Sequence, residues 1–267
     1  MKQTITFLLS VLISCSVFAQ NDSPYKTTIK ADAPIILGSL GLGYLGVNMI
    51  KNKESLTEAE VLAKSPEDVN GFDRFSAGNF SEKADKDSYI PFYASFAAPV
   101  VMLLNKNESK KAGQIMVLFT ESMAITGAMF SLAAGSIQNS RPLVYGSAAP
   151  MEKRRDKDSQ RSFYAGHTAA TATATFFLAK VFQDFNPDSK AKPFVWAAAA
   201  LVPASVGYLR LRAGQHFLSD NLLGYALGAG VGILVPQLHK KGSTSNFSLS
   251  PSTNPHYKGA TMLYTFN

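Results

Sequence analysis

The chain has 267 residues, of which 46% are hydrophobic and 17% charged, with a net charge of +7 and a mean hydropathy of +0.02. That length and apolar content allow one domain with a substantial core, and the charged fraction falls below the ~25% of ordinary soluble domains. The basic residues are spread among loops and form no stripe interleaved with aromatics, which argues against a nucleic-acid partner and for an anionic membrane surface or an anionic substrate.

Met1-Lys2 followed by an apolar stretch over 4–18 reads as a signal peptide over 1–19, with Val17-Phe18-Ala19 as the small-residue site. Leu12-Ile13-Ser14-Cys15 also resembles a lipoprotein box, but the apolar Val17-Phe18 that follows is unusual for a lipoprotein tether. Cys15 is the only cysteine, so removal of the leader leaves no disulfide and no thiol chemistry. An N-terminal region over 20–88 follows. It holds an uncharged run, 33–50, and a polar linker in which 56–64 predicts a short helix and 70–74 a turn into another.

The predicted core spans 89–241. Its uncharged runs are 89–105, 113–140 (interrupted only by Glu121), 162–179, 193–209 and 221–238. With 33–50 they make six helices of an all-α bundle. The uncharged stretches of about 17 to 19 residues sit at the lower end of what spans a bilayer, where ~20 is usual, and a membrane-embedded bundle is expected over a soluble all-α domain. In the tail, 242–267, Phe247/Leu249 and Met262/Tyr264/Phe266 alternate with polar residues around turn-forming Asn254-Pro255, which predicts a short β-hairpin packed on the helices, with a disordered tail as the alternative.

Three segments carry chemistry. His216 and Asp220 are four residues apart, a spacing that in a helix places both on one face, where the carboxylate can hold one imidazole nitrogen and leave the other free to attack. Arg210 precedes them and offers a planar fork for phosphate oxygens. The bland alternative is a helix terminus with solvated charges. Ser162-Phe163-Tyr164-Ala165-Gly166-His167-Thr168 opens another apolar run, and Ser140-Arg141-Pro142 closes a third.

Arg-Pro, then Gly-His-Thr, then Arg-x5-His-x3-Asp together resemble the type 2 phosphatidic acid phosphatase superfamily, which also contains bacterial acid phosphatases and vanadium haloperoxidases. The resemblance runs over about residues 90 to 238. It implies phosphate-ester hydrolysis through a phosphohistidine, with His216 as nucleophile, Asp220 as its orienter, and His167 as the acid that protonates the leaving alcohol. Arg141, Arg210 and the backbone around Gly166 would bind the phosphate. The chain departs from the pattern at Ala134, where the family has a Lys, at Ala165, where it has a Ser, and at Leu209, where a Ser usually precedes the arginine. A substitute for the lost Lys is expected in Arg212 or in the Lys153/Arg154/Arg155 cluster. No cofactor and no metal is expected, because arginines beside His167, His216 and Asp220 would repel a cation. His239 and His256 are expected to be solvated, and Glu121 to be either an inward polar contact or a sign that its helix is not in lipid.

If the second to sixth runs span, Lys106/Lys110/Lys111, Lys180/Lys190/Lys192 and Lys240/Lys241 fall on one side and the three motifs on the other, which predicts an outward-facing site. A cleaved leader puts the new N-terminus outside, and six spans would then turn the site inward, so 33–50 is expected not to span or the domain to be periplasmic. The expected partner is a lipid or isoprenoid phosphate in the envelope. A periplasmic acid phosphatase on soluble esters and a degenerate lipid-phosphate binder are the alternatives.

Overall fold

The computed structural model describes residues 23–242, 247–254 and 257–264; the leader expected over 1–19 lies outside them. In chain order the helices are α1 (Ile29–Lys51), α2 (Glu58–Leu62), α3 (Glu82–Phe96), α4 (Ala98–Met102), α5 (Lys106–Ser109), α6 (Ala112–Ser136), α7 (Met151–Arg155), α8 (Gly166–Phe185), α9 (Lys192–Arg212) and α10 (Leu218–Leu238). β1 (Phe247–Asn254) pairs antiparallel with β2 (Tyr257–Tyr264). Among the described residues, α1, α6, α9 and α10 are long and apolar enough to cross a membrane.

The run over 89–105 does not form one helix. α3 starts at Glu82, inside the expected linker, because the Ser81 hydroxyl caps the Ala84 N–H and Glu82 and Asp85 complement the first turn. The chain then breaks at Ala97 before the short α4.

α8 is the axial helix and packs against α3, α6, α9 and α10. Its alternating Ala and Thr make that possible. The alanines admit close neighbours, and the buried hydroxyls bond backbone rather than water: Thr173 Oγ1 reaches Gly228 O at 3.1 Å, and Thr175 Oγ1 reaches Ala199 O at 2.9 Å. On the facing side α10 carries Gly224, Gly228 and Gly232, one turn apart. A Cβ there would meet the carbonyl oxygens of Ala165, Ala169 and Thr173 at 2.5, 2.1 and 2.6 Å, so a side chain at any of the three would push the two helices apart.

α1 lies along α6 by the same device. A Cβ at Gly46 would sit 2.4 Å from the Ser131 backbone. The outer face of α1, with Leu37, Leu40 and Leu45 exposed, is apolar. Its two ends are anchored at opposite ends of the bundle. Just beyond its last turn, Lys53 Nζ donates to Ile137 O at 2.7 Å, at the end of α6, while Asp32 in its first turn meets His239 at the end of α10. α1 therefore runs parallel to α6 and covers the same length of bundle.

The three motifs gather at one end, where α6 and α9 finish and α8 and α10 begin. The linker over 52–81 folds across this end. Thr57 and Glu60 form a reciprocal cap for α2. Val61 and Val69 join Leu143, Val144, Tyr145 and Phe217 in a second apolar cluster. Asp73 accepts from Ser219 N at 3.0 Å and Ser219 Oγ at 2.6 Å, so a linker carboxylate caps the start of α10.

Candidate functional site

α9 ends at a turn that only glycine fits. Gly214 has φ 71°, its N–H donates to Leu211 O, its carbonyl accepts from Leu143 N, and a Cβ on it would lie 1.8 Å from Asn79 O. The turn swings His216 into the bundle, where it is 2% exposed. Its Nδ1 lies 2.6 Å from the carbonyl oxygen of Ser162. A carbonyl can only accept, so Nδ1 carries the proton and Nε2 presents a lone pair.

This corrects the expected role of Asp220 as direct holder of the ring. His216 precedes α10, whose cap residue is Phe217, so the helical i,i+4 geometry does not apply. Asp220 Oδ2 instead accepts from Ser162 Oγ at 2.6 Å and from Phe217 N at 3.0 Å, and its backbone carbonyl accepts from Ala165 N at 3.1 Å. Asp220 holds the Ser162 segment, and the Ser162 carbonyl holds the imidazole.

Arg210, in the last turn of α9, is 2% exposed. Its Nη1 donates to Asp85 Oδ1 at 2.6 Å and to Ser88 Oγ at 3.4 Å, both on α3, and the guanidinium lies 5.9 Å from the Tyr89 ring centre. Arg141 bonds the Gln215 side-chain carbonyl through Nη1. Arg161 is bridged to Asn139, two residues from Arg141, and pairs with Asp158 through Nη2 at 3.0 Å. In all three arginines Nε is buried and has no hydrogen-bond partner in the protein. A buried donor without an acceptor is costly and rare, and here three of them belong to cations.

His167 is the second residue of α8, and its ring packs against Tyr89 (5.2 Å) and Phe92 (4.5 Å) of α3. At Gly166, just before it, a Cβ would meet the Phe130 ring at 2.6 Å. Burial, then the guanidiniums of Arg210, Arg141 and Arg161, push the His167 pKa down to about 3. Burial, then Arg141 and Arg210, hold His216 well below the usual imidazole range. Burial, then Arg210 and Arg161, push Arg141 down to about 9. Both shifts favour neutral imidazoles near pH 7, and an anion placed among these arginines would raise every one of these values.

The expected substitutes for the missing Lys are elsewhere. Arg212 is exposed and donates to Tyr208 Oη at 3.1 Å on the outer face of α9. It is two residues from Arg210, about 200° around a helix, so the two cannot share a face. Arg154 donates to the carbonyls of Val144 and Val61 and Arg155 to Leu56 O, which ties the linker down, and Lys153 pairs with Glu82 at the start of α3. Ala134 is fully buried in α6. The third cation acting on His167 is Arg161, which looks in sequence like one more charge in a basic loop. Asp85, Ser88 and Tyr89 were also missed, since nothing local marks a helix start as facing a motif far along the chain.

A model of the PAP2 superfamily matches residues 115–243, which contain all three motifs. Over these residues the chain belongs to the PAP2 superfamily. It is similar to a lipid A 1-phosphatase of Porphyromonas gingivalis, 26% identical over 247 residues, covering 89% of this chain and 50% of the relative; it thus spans half the length of that protein. It is also similar to the crystal structure of a transmembrane PAP2 type phosphatidylglycerolphosphate phosphatase from Bacillus subtilis, at 17% identity and a TM-score of 0.42, covering 91% of this chain and 99% of the other. The PAP2 match begins at Ile115. α3, which holds Arg210 and lines His167, lies outside it.

Proposed function

We propose that the protein is a phosphatase that removes phosphate from a membrane lipid or isoprenoid phosphate through a phosphohistidine at His216. The observation that carries this reading is the set of three buried arginine Nε donors without partners, on guanidiniums that all act on His167, two of them, Arg141 and Arg210, also on His216. Arg141, Arg161 and Arg210 take the phosphate oxygens. The Nε2 lone pair of His216 attacks phosphorus, the phosphorus–oxygen ester bond breaks, and His167 gives its proton to the leaving alkoxide. Water then attacks phosphorus, His167 takes its proton, and the phosphorus–nitrogen bond breaks to release inorganic phosphate. His167 is neutral in the free protein, so its proton arrives with the substrate, whose charge raises the imidazole pKa. Three arginines supply the positive charge, and these steps use no metal ion.

A lipid substrate is supported by the four spans and by an apolar cleft of about 550 Å³ between α3 and α9, lined by Pro91, Ala94, Phe194, Val195 and Val202. α3 also carries the aromatic neighbours of His167, so one helix borders both cleft and site. The similarity to a lipid A 1-phosphatase points the same way. Burial of Ala134 and Ala165 where the family places Lys and Ser keeps the second reading, a lipid-phosphate binder without turnover. Phosphate release from short-chain phosphatidic acid by the purified protein decides between them: turnover supports the phosphatase, and binding without turnover supports the binder.

The site is proposed to face away from the cytoplasm, because Lys26, Lys106, Lys110, Lys190 and Lys240 lie toward the opposite end. The parallel course of α1 then puts Ser23 on the cytoplasmic side. A leader cleaved after Ala19 would put it on the other, so the two expectations exclude each other. A cysteine at Ser147 should react with an impermeant thiol reagent in cells with a permeabilised outer membrane, and one at Lys190 should not. The reverse pattern would turn the site inward and restore the cleaved leader.

A further inference from the structure

At the end of the bundle away from the motifs, Asp32 of α1, Glu121 of α6 and His239 at the end of α10 bring one ligand atom each within 4.8 Å of the others. The expectation that His239 is solvated fails here: its side chain is 14% exposed, Asp32 is 5% and Glu121 3%. His239 Nδ1 lies 2.8 Å from Val235 O, which can only accept, so Nδ1 carries hydrogen. Nε2 therefore faces the carboxylates, 3.0 Å from Asp32 Oδ1 and 3.7 Å from Glu121 Oε2. The other Asp32 oxygen accepts from Thr28 N at 2.6 Å. Glu121 Oε2 is buried and has no hydrogen-bond partner, although it points at the imidazole.

A bare Nε2 lone pair against two carboxylates would be repulsive. A proton on Nε2 joins it to Asp32 and still leaves the Glu121 oxygen unsatisfied. Lys240, next to His239 in sequence, donates instead to Asp184 Oδ1 at 2.7 Å. A divalent ion satisfies all three atoms at once and balances two carboxylates and a neutral imidazole. Zinc bonds of about 2.0–2.2 Å in a tetrahedral shell require donors about 3.4 Å apart, and the observed 3.0 and 3.7 Å straddle that value. One imidazole and two carboxylates suit a first-row transition ion better than calcium or magnesium.

We propose that Asp32, Glu121 and His239 bind a divalent transition-metal ion of the zinc class, which staples α1 to α6 and α10. The site is structural. Asp220 and His239 stand at opposite ends of α10, roughly 28 Å apart at the helical rise, too far for the ion to touch the phosphate.

The test uses untagged, full-length protein in detergent, stripped with EDTA, dialysed and titrated with zinc chloride. Wild type and His216→Ala should each hold one zinc per chain by elemental analysis and unfold several degrees higher with zinc than without. Glu121→Gln and His239→Gln should lose both the bound zinc and the rise. Absence of stoichiometric zinc in the wild type makes the trio an ion pair and overturns the proposal, as does retention of zinc by Glu121→Gln. If the variants do not fold, cobalt added to the stripped wild type decides: visible absorption typical of tetrahedral nitrogen and oxygen ligands supports the site, and its absence overturns it.

Discussion

At the motif end, Arg141 and Arg210 act on two imidazoles and Arg161 on one of them, His167; at the far end, Asp32 and Glu121 crowd around a third. The far end also holds a carboxylate of the opposite kind. Asp184 accepts from Lys180 Nζ at 2.5 Å, Lys240 Nζ at 2.7 Å and Tyr25 Oη at 2.8 Å, so its charge is fully met. Buried charge alone therefore does not mark a ligand site in this molecule. The arginine Nε atoms and Glu121 Oε2 differ from Asp184 in lacking partners, and an unmet buried polar atom is what a ligand of opposite sign would relieve. The sign of the unmet charge is what separates the proposed phosphate end from the proposed cation end.

The largest effect that could break this comparison is at His216. His216→Ala should reduce phosphate release by on the order of 10⁴-fold or more, as for loss of a nucleophile; near-wild-type turnover would leave the arginine cluster without a reaction. Next is the contrast between two arginines. Arg161→Ala should lower kcat/KM by on the order of 10²-fold, as for removal of one transition-state donor, whereas Arg212→Ala should change it by less than about threefold, as expected of a surface side chain. Ala134→Lys should partly rescue Arg161→Ala if both can serve the same charge. A larger loss from Arg212→Ala than from Arg161→Ala would put the third cation back on α9.

A proton measurement sharpens the same contrast. The His167 pKa lies near 3 in the free protein because burial and three guanidiniums oppose its charge. A bound dianion reverses the second cause, so the pKa rises in the complex and binding takes up a proton between the two values. Sulfate, which does not titrate near pH 6, isolates the effect. Calorimetry in two buffers of different ionisation enthalpy should show net proton uptake at pH 6 that disappears in His167→Asn. The smallest effect on chemistry is expected at the satisfied carboxylate. Asp184→Asn strands two lysines, one of them buried, and should cost about 3 kcal/mol of stability, read by thermal or denaturant unfolding, with sulfate affinity unchanged.

The helical runs were legible because an apolar stretch of that length has few other uses. The break at Ala97 had a local signal that the apolar run masked: Pro99, in the first turn of α4, has no N–H to donate back to α3. Histidines and arginines stood out because they sit in short motifs at the ends of apolar runs. Their partners did not: Asp85 and Ser88 lie on a helix start more than a hundred residues before Arg210, and Arg161 sits among other loop charges. Asp220 was placed against His216 by a helical spacing that does not hold, because α10 begins at Leu218, two residues past the histidine. Asp32, Glu121 and His239 come from three helices far apart in sequence, and no local pattern joins them.

The central claim is that Nε2 of His216 becomes the phosphorylated atom. It is tested most directly by quenching turnover of a short-chain lipid phosphate in alkaline denaturant, which preserves phosphohistidine, and mapping the phosphate by tandem mass spectrometry. Because Ser162 O holds Nδ1 at 2.6 Å, the phosphate should appear on Nε2 of His216 and be absent from His216→Gln. Rapid turnover with phosphate on Nδ1, on His167 or on no histidine would contradict the account.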